Sequence, residues 1–394
     1  MKTKNNYTAL ATLVFCFALW PFEVVYALQK TVKTSLAAPE LDVKAWALME
    51  VNSGWVVAGE NIDEKLPPAS ITKLMSNYVV FAKLANGDVN FKDQVSISEQ
   101  AWRAEGSRMF ADVNTTIELE HLLKSTIIQS GNDAAIALAE YVGGSEASFA
   151  QMMNQAASEL GLTNSYFENS TGLPAPDHLM SAADIATLSA ALIKDFPEFY
   201  DWYSIKEYTH NSITQYNRNK LLWKDSTIDG LKTGHTNAAG YCLVGTAKRK
   251  GQRWIAVVLG SEGEREREQA VLSLINFAYA AYQPGKLLDQ QEGIASVDVY
   301  GGEADQVRLQ ATNAANVVVP KGRLEDIKTE LLVSPYFEAP IEVGQPMGIA
   351  SLTLDGEPLL DIPLISMSTI ANGSWWKRIK DSIRLRWRNW MADD

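Results

Sequence analysis

Three short stretches carry reactive side chains at spacings that could do chemistry: Ser70-Ile71-Thr72-Lys73, Ser130-Gly131-Asn132 and Lys232-Thr233-Gly234. On a helix, positions i and i+3 share a face, so the Ser70 hydroxyl and the Lys73 amine can meet without help from the rest of the fold. An amine held neutral can accept the serine proton, which activates a serine where no histidine is nearby. Alone, Ser-x-x-Lys is a pattern that chance supplies in a chain of 394 residues. Ser130 and Asn132 interrupt a helical stretch, where they either cap a helix or offer side chains to a site. Lys232 precedes two strand signals and is either a polar strand end or a cation aimed at a site.

The elements around these groups decide how they can be placed. Pro67 and Pro68 forbid helix behind them, and 71–84 then reads as a helix with Leu74, Tyr78, Phe81 and Leu84 on its buried side. Ser70 falls in its first turn, where backbone N–H groups are unpaired and the field is positive. Upstream, 45–51 and 55–58 read as strands joined by the Asn52-Ser53-Gly54 turn. Helices are predicted over 118–128, 134–142 and 148–160, and Ser181-x-x-Asp184 is a capping box opening another over 182–194. Residues 223–230 read as a loop, and 262–268, dense in charge, as a solvated loop in which Arg265 or Arg267 could still face a site. Strands over 241–247 and 254–260 flank the turn at 248–251, and a helix returns over 269–282. From about 296 to 363 the pattern changes to short alternating runs punctuated by Gly and Pro, the mark of a small all-β domain.

Composition narrows the function classes. The net charge of −12 and the lack of a basic stripe before the C-terminus argue against nucleic acid as a partner. Four histidines and two cysteines, without Cys-x-x-Cys or His-x-x-x-His spacing, give no metal site, and nothing implies a cofactor. Lys2 and Lys4, an uncharged apolar run over 9–20 and Val25-Tyr26-Ala27 have the layout of a cleavable export signal. Its removal leaves Cys242 as the only cysteine, expected in a buried strand, so no internal disulfide holds the exported chain. At the other end, Trp376, Ile379, Ile383, Trp387 and Trp390 fall on one helical face, flanked by Lys377, Arg378, Lys380, Arg384 and Arg388. Such a helix either lies in a membrane interface or packs on the β domain. The predicted organisation is a signal peptide over 1–27, a catalytic domain over 28–285, an all-β domain over 286–370 and an amphipathic anchor over 371–394.

Each motif alone is weak. Their order, Ser-x-x-Lys, then Ser-Gly-Asn, then Lys-Thr-Gly, is the signature of penicillin-binding proteins and serine β-lactamases. Ser130-Gly131-Asn132-Asp133-Ala134 and Lys232-Thr233-Gly234-His235-Thr236 resemble the versions found in low-molecular-mass penicillin-binding proteins, the serine-type D-alanyl-D-alanine carboxypeptidases. The long form of that family also has a β-rich second domain and a C-terminal amphipathic membrane anchor, so the resemblance covers essentially the whole chain. It implies an α+β catalytic domain, an antiparallel sheet flanked by helices, followed by the small all-β domain.

It also implies roles. Ser70 is the nucleophile, Lys73 its general base, and Ser130 a proton relay to the leaving amine. Asn132 hydrogen-bonds the peptide. Lys232, Thr233, Gly234, His235 and Thr236 line the substrate, with the Ser70 and His235 N–H groups as the oxyanion hole. Arg218 matches a family arginine near the carboxylate site, and Arg267 matches another. The implied substrate is a peptidoglycan pentapeptide, with β-lactams as inhibitors. Lys232 beside Lys73 is expected to depress the amine of Lys73. The rivals are a β-lactamase, an endopeptidase of the same superfamily and a catalytically silent wall-binding protein. No Glu-x-x-Leu-Asn stretch lies between Asn132 and Lys232 to support the first.

Overall fold

The computed structural model describes residues 36–289 and 293–392. The predicted export signal lies outside them. In chain order the catalytic part comprises β1 (Ala45–Glu50), β2 (Val56–Glu60), α1 (Lys73–Ala85), β3 (Gln94–Ser96), α2 (Glu99–Trp102), β4 (Thr116–Glu118), α3 (Leu119–Ile128), α4 (Asn132–Gly143), α5 (Glu146–Glu159) and α6 (Ala182–Asp195). It continues with α7 (Pro197–Tyr200), β5 (Glu207–His210), β6 (Ile213–Tyr216), α8 (Leu221–Lys224), β7 (Ile228–Thr236), β8 (Gly240–Arg249), β9 (Gln252–Ser261) and α9 (Glu264–Ala281).

Five strands form an antiparallel sheet in the order β2-β1-β9-β8-β7, with β7 at an edge. The side chains of β1 alternate between its faces. Ala45, Ala47 and Met49 join a core with α1 and α3 to α6, while Trp46 and Leu48 join Trp254 and α9 on the other side. The first half of α1 is buried all round, with Leu74, Met75, Val80 and Phe81 nearly inaccessible, so it is the axle of the helical layer. The fold is the expected sheet flanked by helices.

Sequence boundaries shifted in two places. The charge-dense stretch predicted as a loop is the first turn of α9, which starts at Glu264 rather than 269. Glu264 and Glu266 sit where the helix field favours carboxylates, so their density reports a helix start. The region 223–230 is partly structured too, since α8 ends at Lys224 and β7 begins at Ile228.

The second unit opens directly after α9 with β10 (Tyr282–Leu288), followed by β11 (Ala295–Tyr300), β12 (Gln306–Ala311), β13 (Ala315–Pro320), β14 (Lys328–Val333), β15 (Tyr336–Glu338), β16 (Pro346–Leu354) and β17 (Glu357–Ser366). A six-stranded sheet, β14-β16-β17-β12-β11-β15, and the β10–β13 pair make it all β, apart from a 3-10 turn at Leu324–Asp326.

The chain closes with α10 (Trp375–Ala392). It packs on the β unit through its polar face: Asp381, 5% exposed, accepts the Gly301 N–H at 3.0 Å, and Lys377 pairs with Asp305 at 2.7 Å. The aromatic face is turned outward, with Trp376 72%, Trp387 63% and Trp390 67% exposed.

Candidate active site

Ser70 lies in a single 3-10 turn, Ala69–Thr72, that runs straight into α1. Ala69 just before it holds φ +47°, a left-handed conformation that alanine rarely adopts. Two glycines close on this turn and keep it there. A Cβ on Gly172 would stand 1.9 Å from the Ala69 carbonyl oxygen, and one on Gly234 would stand 2.8 Å from the Pro68 oxygen and 3.2 Å from Ser70 N. Glycine is what lets β7 and the 168–178 loop approach the serine.

Lys73 is fully buried beneath Ser70. Its Nζ lies 3.1 Å from Ser70 Oγ, 2.6 Å from Asn132 Oδ1 and 2.7 Å from the Thr171 carbonyl oxygen. The Asn132 amide is oriented by its other end, because Nδ2 donates to the Glu105 carbonyl at 2.6 Å, which can only accept. Burial pulls the Lys73 ammonium down to about 7, against the raising pull of Asp133 and Glu146. The cause is therefore desolvation, not the neighbouring lysine as the sequence suggested. The effect runs the other way: Lys232 is held well below its ordinary value by burial first, then by Lys73, Arg218 and Arg267.

Ser130, at φ +69°, sits in the loop between α3 and α4, and its Oγ accepts from Lys232 Nζ at 2.9 Å. Lys232 stands mid-strand in β7 and also donates to the Thr233 carbonyl at 3.0 Å. The two lysines thus approach one cleft from opposite walls, each against a serine hydroxyl. Asn132 is the first residue of α4, not a loop residue.

The remaining predicted positions divide. Thr233 and Gly234 are buried next to Lys232, whereas His235 is exposed and stacks on Tyr241 at 4.1 Å between ring centroids. The Thr236 hydroxyl accepts the Ala239 N–H at 3.1 Å and so holds its own turn. Arg218 is exposed, and its Nη2 donates to Ser107 Oγ at 2.9 Å. Arg267 is 4% exposed, its Nη1 reaches the Gly234 carbonyl at 3.4 Å, and its guanidinium lies 5.5 Å from the Tyr241 ring centroid. Arg265 is exposed instead.

Several site residues escaped the sequence reading. Asp133 accepts the N–H groups of Met109, Phe110 and Ala111 at 3.0, 3.0 and 3.2 Å and that of Ala134 at 2.9 Å. It clamps the 105–111 loop, which carries Glu105 for Asn132 and Ser107 for Arg218. The 168–178 loop carries Thr171 beneath Lys73, folded around Asn169 Oδ1, which accepts the N–H groups of Thr171 and Gly172 at 3.1 and 2.8 Å. His178 pins this loop to the 3-10 turn of Ser70: its Nδ1 accepts the Glu168 N–H at 3.1 Å, so Nε2 carries the proton and donates to Thr72 Oγ1 at 2.7 Å. Burial, then Lys73, lowers His178 to about 4. Among the described residues no group of three or more His, Cys, Asp or Glu converges to hold a metal ion.

Residues 32–263 match the family D-alanyl-D-alanine carboxypeptidase, and residues 282–372 match the penicillin-binding protein 5 C-terminal domain. The D-alanyl-D-alanine carboxypeptidase DacC of Escherichia coli is 38% identical over 396 residues, 98% of this chain and 97% of that protein. Penicillin binding protein 5 from Haemophilus influenzae superposes with a TM-score of 0.83 at 35% identity, over 86% of this chain and all of that one. Penicillin-binding protein D2 from Listeria monocytogenes, solved in its ampicillin-bound form, superposes over 62% of this chain and all of that one, with a TM-score of 0.58 at 28% identity. The fold and the Ser-x-x-Lys, Ser-x-Asn and Lys-Thr-Gly constellation define a penicillin-binding protein. Within that class, the chain belongs to the serine-type D-alanyl-D-alanine carboxypeptidase family.

The Asp133 clamp gives a prediction about stability. Asp133→Asn keeps the size but turns an NH₂ group toward backbone N–H donors, leaving at least one unpaired. Denaturant unfolding should show a loss of about 1–3 kcal/mol. A variant as stable as wild type would show that the 105–111 loop does not depend on the clamp.

Proposed function

We propose that Ser70 attacks the penultimate carbonyl of a peptidoglycan pentapeptide, releasing the terminal D-alanine. The observation that carries this is the hydrogen-bond polarity around Lys73. Asn132 Oδ1 and the Thr171 carbonyl can only accept, so a neutral Lys73 amine uses both its N–H groups on them. Its lone pair is then left for the Ser70 hydroxyl at 3.1 Å. With a value of about 7, half the population holds that form near neutrality.

The steps combine this geometry with the roles that the family resemblance implies. Ser70 passes its proton to Lys73 as the Oγ–carbon bond forms, and the backbone N–H groups of Ser70 and His235 hold the oxyanion. Ser130, against Lys232, delivers its proton to the departing nitrogen and takes back the one that Lys73 received, the carbon–nitrogen bond breaks and D-alanine leaves. Water then cleaves the Ser70 ester. Asn132 holds the peptide. The terminal carboxylate meets Lys232, Thr233 and Arg218, with Arg267 behind Gly234, and its charge offsets the burial that disfavours the proton on Lys232. Gly234, His235 and Thr236 form the strand edge along which the peptide lies. β-Lactams imitate this substrate and stall at the ester. The test is D-alanine release from a pentapeptide, together with covalent labelling by a fluorescent penicillin. Wild-type protein that did neither would be the silent wall-binding protein instead.

The same proposal extends to location. The chain is exported by 1–27, and the mature protein rests on the membrane surface through α10. Among the described residues no helix is long and apolar enough to cross a membrane. α10 uses Asp381 and Lys377 to hold the β unit while exposing Trp375, Trp376, Trp387 and Trp390, the disposition of an interfacial helix. Deleting 374–394 should move the mature protein from the membrane to the soluble fraction without changing turnover of small peptides. A truncated protein still in the membrane pellet would refute the anchor.

A further inference from the structure

A second concavity lies at the far end of α4 from Ser70. It has a volume of about 540 Å³ and is walled by the β3–β4 pair and the last turn of α4. Its lining is mixed: Gln94, Ser96, Asn114 and Thr116 bring amide and hydroxyl groups between apolar surfaces, and Glu140 and Tyr141 close one side. The side chains of Ser96, Asn114 and Thr116 are exposed and have no hydrogen-bond partner among the described residues. Tyr141, 40% exposed, has its ring fixed because its hydroxyl donates to Asp93 Oδ2 at 2.9 Å. Glu140 is fixed likewise by the Ser98 hydroxyl at 2.9 Å.

The chemistry of this wall selects its ligand. No lysine, arginine or histidine lines it, and a carboxylate does, so phosphates and other anions are disfavoured. A wholly apolar guest is disfavoured too, since the unpaired amide and hydroxyl groups would lose water without gaining partners. A neutral ligand carrying many hydroxyl and amide groups satisfies it, with the immobilised tyrosine ring as a flat wall. That is the chemistry of an N-acetylated saccharide, and the volume suits one or two sugar rings.

The position fits as well. Asn132 opens α4 at the catalytic cleft and Glu140 lies eight residues further on, about 12 Å along the helix. The four residues that lead from the sugar to the attacked penultimate carbonyl span up to about 14 Å when extended. A glycan strand in this groove can therefore present its own stem peptide to Ser70. We infer that the groove between the β3–β4 pair and the end of α4 is a saccharide subsite that binds the glycan bearing the substrate peptide. The inference rests on the carboxypeptidase reading above.

The experiment compares D-alanine release from an N-acetylglucosamine–N-acetylmuramic acid pentapeptide with release from the same pentapeptide without sugars. The proteins are wild type, Tyr141→Ala and Asn114→Gly. The last removes the carboxamide while keeping the φ of +60° at that position accessible. Wild type should have a KM about tenfold lower for the sugar-bearing substrate, the effect of one or two net hydrogen bonds. Both variants should lose that preference and keep wild-type kcat/KM on the free peptide. Equal KM values for the two substrates in wild type, or variants that keep the preference, would overturn the subsite and leave the carboxypeptidase reading intact. Wild type inert on both substrates would strike that reading instead. The subsite is then judged by titrating a peptide-free oligosaccharide of the same sugars into Ser70→Ala: saturable binding lost in the added Tyr141→Ala change supports it, and no saturable binding overturns it.

Discussion

Lys73→Met should acylate with penicillin about 10²- to 10⁴-fold more slowly than wild type, the range over which a positioned general base contributes. Lys73→Arg should fare no better, because a guanidinium stays protonated and offers no lone pair. Ser70→Ala should not label at all. The wild-type acylation rate should rise with pH through an apparent value of about 7, where burial places the Lys73 amine, since the neutral form is the reactive one. An acid limb that persisted unchanged in the Lys73 variants would assign it to another group. A second readout needs no chemistry. A lysine whose folded value of about 7 lies below its ordinary 10.5 binds its proton more weakly when folded. The folded state is therefore penalised fully below pH 7, and the penalty shrinks as pH rises toward 10.5. Wild type should gain stability relative to Lys73→Met across that window. Parallel stability curves would mean that Lys73 keeps its ordinary proton affinity despite its burial.

The contrast between what the sequence held and what it hid follows from the range of the interactions. Ser70 and Lys73 are three residues apart, and helix geometry alone brings them together. The apolar run of β1 and the Ser181 cap, whose hydroxyl accepts the Asp184 N–H at 3.2 Å, are local too and were legible. Thr171 is 98 residues from the lysine it holds and meets it through a backbone carbonyl, which any residue type could supply. No side-chain pattern could have marked it. Asp133 was visible inside a motif, but its carboxylate serves a loop 22 to 24 residues upstream, again through main-chain groups. The meeting of Lys73 with Ser70 was legible, whereas the reason for the lysine's depressed value was not. Proximity of two lysines is visible from matched motifs, but burial depends on how α4 and the 168–178 loop close over the amine. The tail shows the same division: its two faces could be drawn on a wheel, yet only the fold shows that the polar one is docked.

Gly172→Ala should disable the site more severely than its single methyl group suggests. The added Cβ would stand 1.9 Å from the Ala69 oxygen, 2.4 Å from the Ala69 carbonyl carbon and 2.7 Å from Thr72 Oγ1, and the φ of +83° is itself unfavourable for alanine. The conformational cost of about 1–2 kcal/mol adds to an overpacking cost of about 1–3 kcal/mol. Two of those atoms are backbone, so neither can swing away. Relief requires the 168–178 loop to retreat or the 3-10 turn to move. The first withdraws Thr171 from Lys73, and the second displaces Ser70 itself. A misplacement near 1 Å costs about 10²-fold in rate, so penicillin labelling should slow at least that much while the protein still folds. Gly144→Ala is the control. Its φ of +74° carries the same conformational cost, but nothing lies within 4 Å of its added Cβ, so it should lose stability without losing labelling. If Gly172→Ala labelled at the wild-type rate, close packing against Ala69 would have no part in setting the Ser70–Lys73 geometry.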